Sequence, residues 1–147
     1  MIKKDREVVI NKCYGGFGLS HQGVMEYAKM SGFELYPFVD KRDKNRNLLG
    51  IGKEAKFESY NPKKDAFTIY YSKKPLENGQ YVKDSWFYDG DLERDDPILV
   101  KVVRKLKEKS FGECANLKIV RIPADVEYEI EEYDGTEWIA ESHKTWG

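Results

Sequence analysis

The residues best suited to chemistry lie in one short stretch that begins at Cys13 and ends at His21. Between them the stretch holds Gly15, Gly16, Phe17, Gly18 and Ser20. A glycine-rich turn between a strand and a helix aims backbone N–H groups at one spot, where the helix dipole also favours negative charge. We therefore expect the turn to line the main concave site and to bind a small anionic ligand such as a nucleotide.

The glycine spacing of this turn matches neither the phosphate-binding loop of nucleotide hydrolases nor the dinucleotide fingerprint. A tight strand-to-helix turn that binds nothing is therefore the alternative. Further along, the polar loop that begins at Asp40 carries four cations, Lys41, Arg42, Lys44 and Arg46. We expect Arg42 to neutralise the bound anion, and the alternative is a solvated surface loop.

The same stretch also permits an enzyme. Cys13 precedes the turn and a helix start, so we expect the helix N-terminus to activate its thiol as a nucleophile. His21 or His143 would then act as the base, which makes these three residues the catalytic candidates. The alternative is that Cys13 is a small buried hydrophobic residue. Cys114 completes a set of two cysteines and two histidines, but their spacing fits no zinc motif, so we expect neither a metal nor a cofactor.

The elements that position these residues follow from hydrophobic periodicity. Val8–Ile10 predicts a buried strand, Ser20 caps a helix that ends at Gly32, and Asp96-Pro97 begins a second helix. Residues 117–122 predict a strand, and Asp134-Gly135 predicts a hairpin between residues 126–133 and the strand after the turn. In that register Ile130 faces Ile139, and Trp138 lies opposite Glu131 on the other face.

The middle of the chain is less regular. Pro37 predicts an edge or bulged strand, because proline cannot donate to a ladder. Residues 56–60 and 66–71 predict a hairpin, and the aromatic run Trp86-Phe87-Tyr88 predicts core packing rather than stacking on a base. The sum is one α+β domain spanning 1–147: a mixed sheet, two principal helices on one face, and an insertion of short strands and loops at about 40–91.

Composition fits this class. The 147 residues are 40% hydrophobic and 35% charged, with a net charge of −1. The charged N-terminus carries no apolar segment of the secretory type, and no apolar run is long enough for a membrane span, so we expect a cytoplasmic protein with no membrane partner. Charge is uneven, since residues 125–147 hold eight acids and one lysine. Nucleic acid is not an expected partner at this charge.

Three segments resemble a family of small uncharacterised proteins of tailed bacteriophages and prophages. They are the opening NKCYGGFGLS (residues 11–20), the motif RDDP (94–97) and the ending VEYEIEEYDGTEWIAESHKTW (126–146). The resemblance covers roughly residues 7–36 and 91–147 and implies a phage accessory protein in the bacterial cytoplasm. Such proteins often counter host defences, some by sequestering nucleotide signals.

The acidic hairpin supports a further hypothesis, in which residues 125–141 imitate nucleic acid and inhibit a basic host protein. Its alternative is an acidic sheet face that only keeps the protein in solution. The expected partners are therefore a small anionic ligand or a host protein, and neither the oligomeric state nor the identity of the ligand follows from the sequence.

Overall fold

The computed structural model describes residues 5–41, 56–62, 68–76 and 85–141. Within these ranges the chain forms eight strands and two α-helices. They are β1 (Arg6–Asn11), α1 (His21–Ser31), β2 (Tyr36–Asp40), β3 (Phe57–Ser59), β4 (Tyr70–Ser72), β5 (Trp86–Phe87), α2 (Pro97–Leu106), β6 (Leu117–Ile122), β7 (Tyr128–Tyr133) and β8 (Thr136–Glu141). The predicted α+β class with two principal helices is confirmed.

The chain divides into two compact units. The first consists of Met1–Ser31 and Asp89–Gly147, and the second of Gly32–Tyr88. The second unit corresponds to the insertion of short strands predicted at about 40–91, with its start moved back to the end of α1.

The first unit is built around the pairing of β1 with β6, which is antiparallel and joins Arg6 to Ile122. Val8 and Val9 point to opposite faces of β1, and both are fully buried. The β7–β8 hairpin covers the face of Val8, while α2 packs against both strands. Residues 8–10 of β1 are therefore covered on both sides, which explains the apolar run Val8-Val9-Ile10.

Both helices start where the sequence predicts. The Ser20 hydroxyl accepts the N–H of Gly23 at 3.0 Å, and the Asp96 carboxylate accepts the N–H of Ile98 at 2.8 Å. Gly32 follows α1 with φ of 84°, the left-handed conformation of a helix C-cap. Helix α2 ends earlier than Gly112, because a 3-10 turn takes over at Lys107–Ser110.

The β7–β8 hairpin has the predicted register. Asp134 and Gly135 form its turn, with φ of 49° and 92°. Ile130 pairs with Ile139, and Glu131 pairs with Trp138. The isoleucines pack on Val8, Ile10 and Ile122, so apolar residues meet across the sheet and the hairpin.

In the second unit the described strands lie in the order β3-β2-β4-β5, and every neighbouring pair is antiparallel. The predicted hairpin of residues 56–60 and 66–71 is wrong, since β2 lies between β3 and β4. The predicted edge or bulged position of Pro37 is also wrong, since β2 has a strand on each side and pairs with β4 in continuous register. The Pro37 carbonyl accepts the N–H of Tyr60, just after the end of β3, at 2.9 Å. The missing N–H of Pro37 is on the same side, so proline is tolerated in this central strand because the neighbouring strand ends there.

The strands of the described residues thus form three antiparallel groups, β1-β6, β3-β2-β4-β5 and β7-β8, a finer division than one sheet. The core of the second unit is aromatic. Phe57 lies at its centre, with the Trp86 ring at a centroid distance of 4.9 Å and the Tyr70 ring at 5.8 Å. Core packing is confirmed for Trp86 and Phe87, whereas Tyr88 is exposed.

Candidate functional site

The glycine turn lies between β1 and α1 and touches two other segments of the first unit. Gly15 and Gly16 have φ of 117° and 99°, in the region of positive φ that favours glycine. The N–H of Gly15 donates to the carbonyl of Asp134 at 3.1 Å. The turn is thereby bound to the tip of the β7–β8 hairpin.

Close packing requires glycine at three positions in and around the turn. A Cβ on Gly15 would lie 2.5 Å from the Cβ of Cys114, and one on Gly112 would lie 2.8 Å from the backbone of Gly18. A Cβ on Gly135 would lie 2.3 Å from the nitrogen of Gly16. Only Gly16, among the glycines of the turn, has its Cβ position in open space with a strained φ. The alternative of a turn built for packing therefore accounts for Gly15, whereas a Cβ on Gly18 would lie 3.8 Å from the Asp89 carboxylate, an ordinary contact.

Several donors expected to hold an anion are bound within the protein. The N–H of Leu19 donates to the Asp89 carboxylate at 2.8 Å, and the N–H of Ser20 donates to the carbonyl of Ser110 at 2.9 Å. The Ser20 hydroxyl donates to the carbonyl of Lys109. A carboxylate of the chain itself thus occupies part of the predicted anion site. Anion binding at the turn stays a prediction, with fewer free donors than the sequence suggested.

The other predicted site residues are placed as follows. Phe17 stacks on Arg94, with 3.7 Å from the guanidinium carbon to the ring centroid. Cys13 is half-buried and Cys114 exposed, both as free thiols. Both backbone groups of Cys13 bind the Asn11 side chain, at 2.8 and 3.2 Å. Arg42 and His143 lie outside the described residues.

His21, the first residue of α1, is half-buried, and burial lowers its pKa below the ordinary value of 6.5. The unfolded chain therefore binds a proton near pH 6.5 that the folded chain takes up only at lower pH. We expect the free energy of unfolding to be unaffected by His21 above that pH and to fall as the pH drops below it. Urea unfolding between pH 7.5 and 5 should show a shallower pH dependence for His21→Gln, and an unchanged slope would contradict the assignment.

Sequence reasoning missed a buried polar cluster beside the turn, formed by Asn11, Arg94 and Glu137, with the Phe17 ring stacked on Arg94. The Glu137 carboxylate accepts two bonds from the Arg94 guanidinium, at 2.6 and 2.9 Å. It also accepts the N–H of Asn11 at 2.7 Å. The exposed fraction of the side chain is 8% for Glu137 and 19% for Arg94. We call this group the Arg94–Glu137 cluster.

The cluster holds three segments together. The Asn11 amide nitrogen donates to the carbonyls of Cys13 and Gly135, both at 2.8 Å, and its oxygen accepts the N–H of Asn116 at 2.8 Å. Since the two charges neutralise each other away from water, the cluster suits an anchor better than acid–base chemistry. One signal was available: the predicted hairpin register places Glu137 on the same inward face as Ile139.

The opposite face of the hairpin is exposed. Tyr133 is 68% exposed and Trp138 is 40% exposed, and the Trp138 indole N–H donates to Glu131 at 2.9 Å. Glu129 lies on the same face and is also exposed. We call Glu129, Glu131, Tyr133 and Trp138 the hairpin outer face. It joins large aromatic surfaces to negative charge.

No family model, curated protein or solved structure matches this chain. Within residues 5–41, 56–62, 68–76 and 85–141, no group of three histidine, cysteine or acidic side chains is arranged to hold a metal ion. None of the helices in the same ranges is long and apolar enough to cross a bilayer.

Proposed function

We propose that this protein is a protein-binding module that docks the hairpin outer face onto a basic surface of a partner protein. The observation that carries the proposal is the position of Trp138 and Tyr133, exposed among carboxylates on a hairpin whose other face is anchored in the core. The acidic charge of residues 125–141 supports the same hypothesis from the sequence. The exposed aromatic side chains of Tyr133 and Trp138 are a second reason for it.

The chemistry of the face suits protein recognition. Tyrosine and tryptophan are enriched at the energetic centres of protein interfaces, because they bury a large area with few rotatable bonds. Glu129 and Glu131 flank the aromatics and would steer a positively charged partner toward them. Trp138 is held by its bond to Glu131, so little side-chain freedom is lost on binding.

The anchoring of the hairpin supports the same proposal. Ile130 and Ile139 pack against β1 and β6, and the buried Glu137 binds Arg94. A face that is rigid before binding loses less conformational entropy when the partner docks. Exposed aromatics on a flexible hairpin would lack this advantage.

The resemblance to phage accessory proteins supports a partner from the bacterial host. An acidic face that covers a basic surface would block nucleic acid from that surface, and this is the inhibitory mode we propose. The anionic-ligand prediction has weaker support, since Asp89 and Ser110 already occupy donors at the turn.

The test starts with capture of partners from a bacterial extract on the wild-type protein, followed by Kd measurement with the purified partner. We expect the double variant Glu129→Lys/Glu131→Lys to abolish binding. Trp138→Ala should weaken it by about thirtyfold, as expected for an interface residue worth about 2 kcal/mol. Raising the salt concentration should weaken wild-type binding, because part of the attraction is between exposed charges.

The double variant Glu108→Lys/Glu113→Lys is the matched control, because both glutamates are exposed and lie outside the hairpin. It reverses two charges on the same chain and should leave the Kd within about threefold, a difference below 1 kcal/mol. The proposal would be refuted by a captured partner that binds Glu129→Lys/Glu131→Lys as tightly as it binds the wild type. It would also be refuted if Glu129→Lys/Glu131→Lys and the wild type captured the same set of proteins.

A further inference from the structure

The first unit has a cavity of about 410 Å³ at the start of β1. Its walls are formed by Asp5, Arg6, Glu7, Asp95, Pro97, Val100, Lys101 and Arg104. The volume lies in the range of cavities that take small ligands or short peptide segments. The cavity is distinct from the hairpin outer face and contains none of the residues of the glycine turn.

The cavity adjoins a free stretch of strand edge. In an antiparallel pair, alternate residues direct both backbone groups to the partner or away from it. The N–H of Val9 donates to the carbonyl of Arg94 at 2.8 Å, and that of Asn11 donates to Glu137. The backbone N–H groups of Val9 and Asn11 therefore point away from β6. Glu7 lies two residues before Val9, so its N–H and C=O groups point the same way.

The edge is left open at Glu7 because the chain turns away. Arg94 pairs with β1 only at Val9, and two residues later Asp96 caps α2. Among the described residues, the outward N–H and C=O of Glu7 have no hydrogen-bond partner. The space that the departing chain leaves beside β1 is the cavity.

The walls favour a peptide over a simple ion. Their formal charges balance, with three cations and three carboxylates, and Arg104 is paired with Glu7. Pro97 and the buried Val100 supply an apolar part. A peptide backbone supplies both donors and acceptors to such a site, and a small apolar side chain fits beside Val100.

We propose that this cavity binds an extended peptide segment, which adds as a strand to the free edge of β1 at Glu7. The main-chain bonds to Glu7 provide affinity, and the apolar wall selects the side chain. An uncovered sheet edge presents unpaired N–H and C=O groups, which can pair with another extended chain. The inference is independent of the hairpin outer face, which lies on another part of the unit.

The experiment compares two substitutions of one residue. Random heptapeptides displayed on phage are selected on the full wild-type protein, and the selected peptides are titrated against Glu7→Ala and Glu7→Pro. Both variants lose the ion pair with Arg104, but only proline removes the outward N–H. Neither removes a bond to β6, because residue 7 points away from that strand. We expect binding within threefold of wild type for Glu7→Ala and at least tenfold weaker for Glu7→Pro.

A second measurement needs no variant. Binding of a selected peptide should slow hydrogen exchange of the Glu7 amide at least tenfold in the wild-type protein. Equal binding by Glu7→Ala and Glu7→Pro, an unprotected Glu7 amide, or a library without any binder would each overturn the inference. Peptides whose binding is lost in Trp138→Ala and retained in Glu7→Pro would also overturn it, and would support the hairpin outer face instead.

Discussion

Replacing Glu137 by alanine is expected to lower the free energy of unfolding by about 3–5 kcal/mol, because it leaves the Arg94 guanidinium buried without its counter-charge. The loss includes the acceptor of the Asn11 N–H, which is itself fully buried. Urea unfolding followed by circular dichroism at constant pH measures the change. The expected loss is a large fraction of the 5–15 kcal/mol that is usual for a folded domain.

Glu129→Ala is the matched control, since it removes a glutamate from the same hairpin at an exposed position. It should change the free energy of unfolding by no more than about 0.5 kcal/mol. Glu137→Gln keeps the shape and one acceptor, so it should fall between the two. If Glu137→Ala were as stable as the control, Arg94 would have to reach water, and the anchoring role of the cluster would be wrong.

Gly135→Ala is expected to destabilise the protein by about 2–6 kcal/mol, the sum of backbone strain and a steric clash. Its φ is 92°, and its Cβ would lie 2.3 Å from the nitrogen of Gly16. The clash is with backbone, so a side-chain rotation cannot relieve it. The turn and the hairpin tip must move apart, which breaks the bond between Gly15 and Asp134.

Gly16→Ala separates the two contributions. Gly16 has nearly the same φ, 99°, but nothing lies within 4 Å of its Cβ position. It should therefore cost only the backbone strain, about 1–3 kcal/mol. Equal losses for the two variants would mean that the tip of the hairpin does not rest on the glycine turn. Thermal or urea unfolding of both variants under one set of conditions makes the comparison.

Local signals were sufficient where an element is specified by adjacent residues. Asp134-Gly135 sets a two-residue turn, and the turn sets the register that joins Ile130 to Ile139. Asp96-Pro97 sets the start of α2 in the same way. In these places the caps, the turn residues and the hydrophobic period all agree.

The predictions were wrong where tertiary contacts decide which strands pair. Residues 56–60 and 66–71 have the pattern of a hairpin, but a pattern does not exclude a third strand between the two, and β2 takes that place. The edge or bulged position predicted for Pro37 was also wrong. A central strand tolerates a missing N–H where the neighbouring strand ends, and the sequence does not show where that is. Periodicity contains neither piece of information.

The candidate site shows the same division. The glycine turn and the helix N-cap at Ser20 were located correctly, but the groups that pack against the turn are remote in the sequence. Asp89, Cys114 and Gly135 approach from later parts of the chain. The pairing of Arg94 with Glu137 also spans many residues, and no local rule connects them. What the glycines pack against therefore had to come from the structure.

The pairing of β1 with β6 has a consequence for synthesis of the protein. Arg6 meets Ile122, so more than a hundred residues must leave the ribosome before the first strand finds its partner. Translation adds about 5–20 residues per second, so Val8, Val9 and Ile10 stay without β6 for roughly 5–25 seconds in each nascent chain. During that interval the nascent chain presents a β-branched apolar segment that can pair with its neighbours on a polysome. Yield in the cell should then depend on translation speed and on chaperones that shield nascent strands.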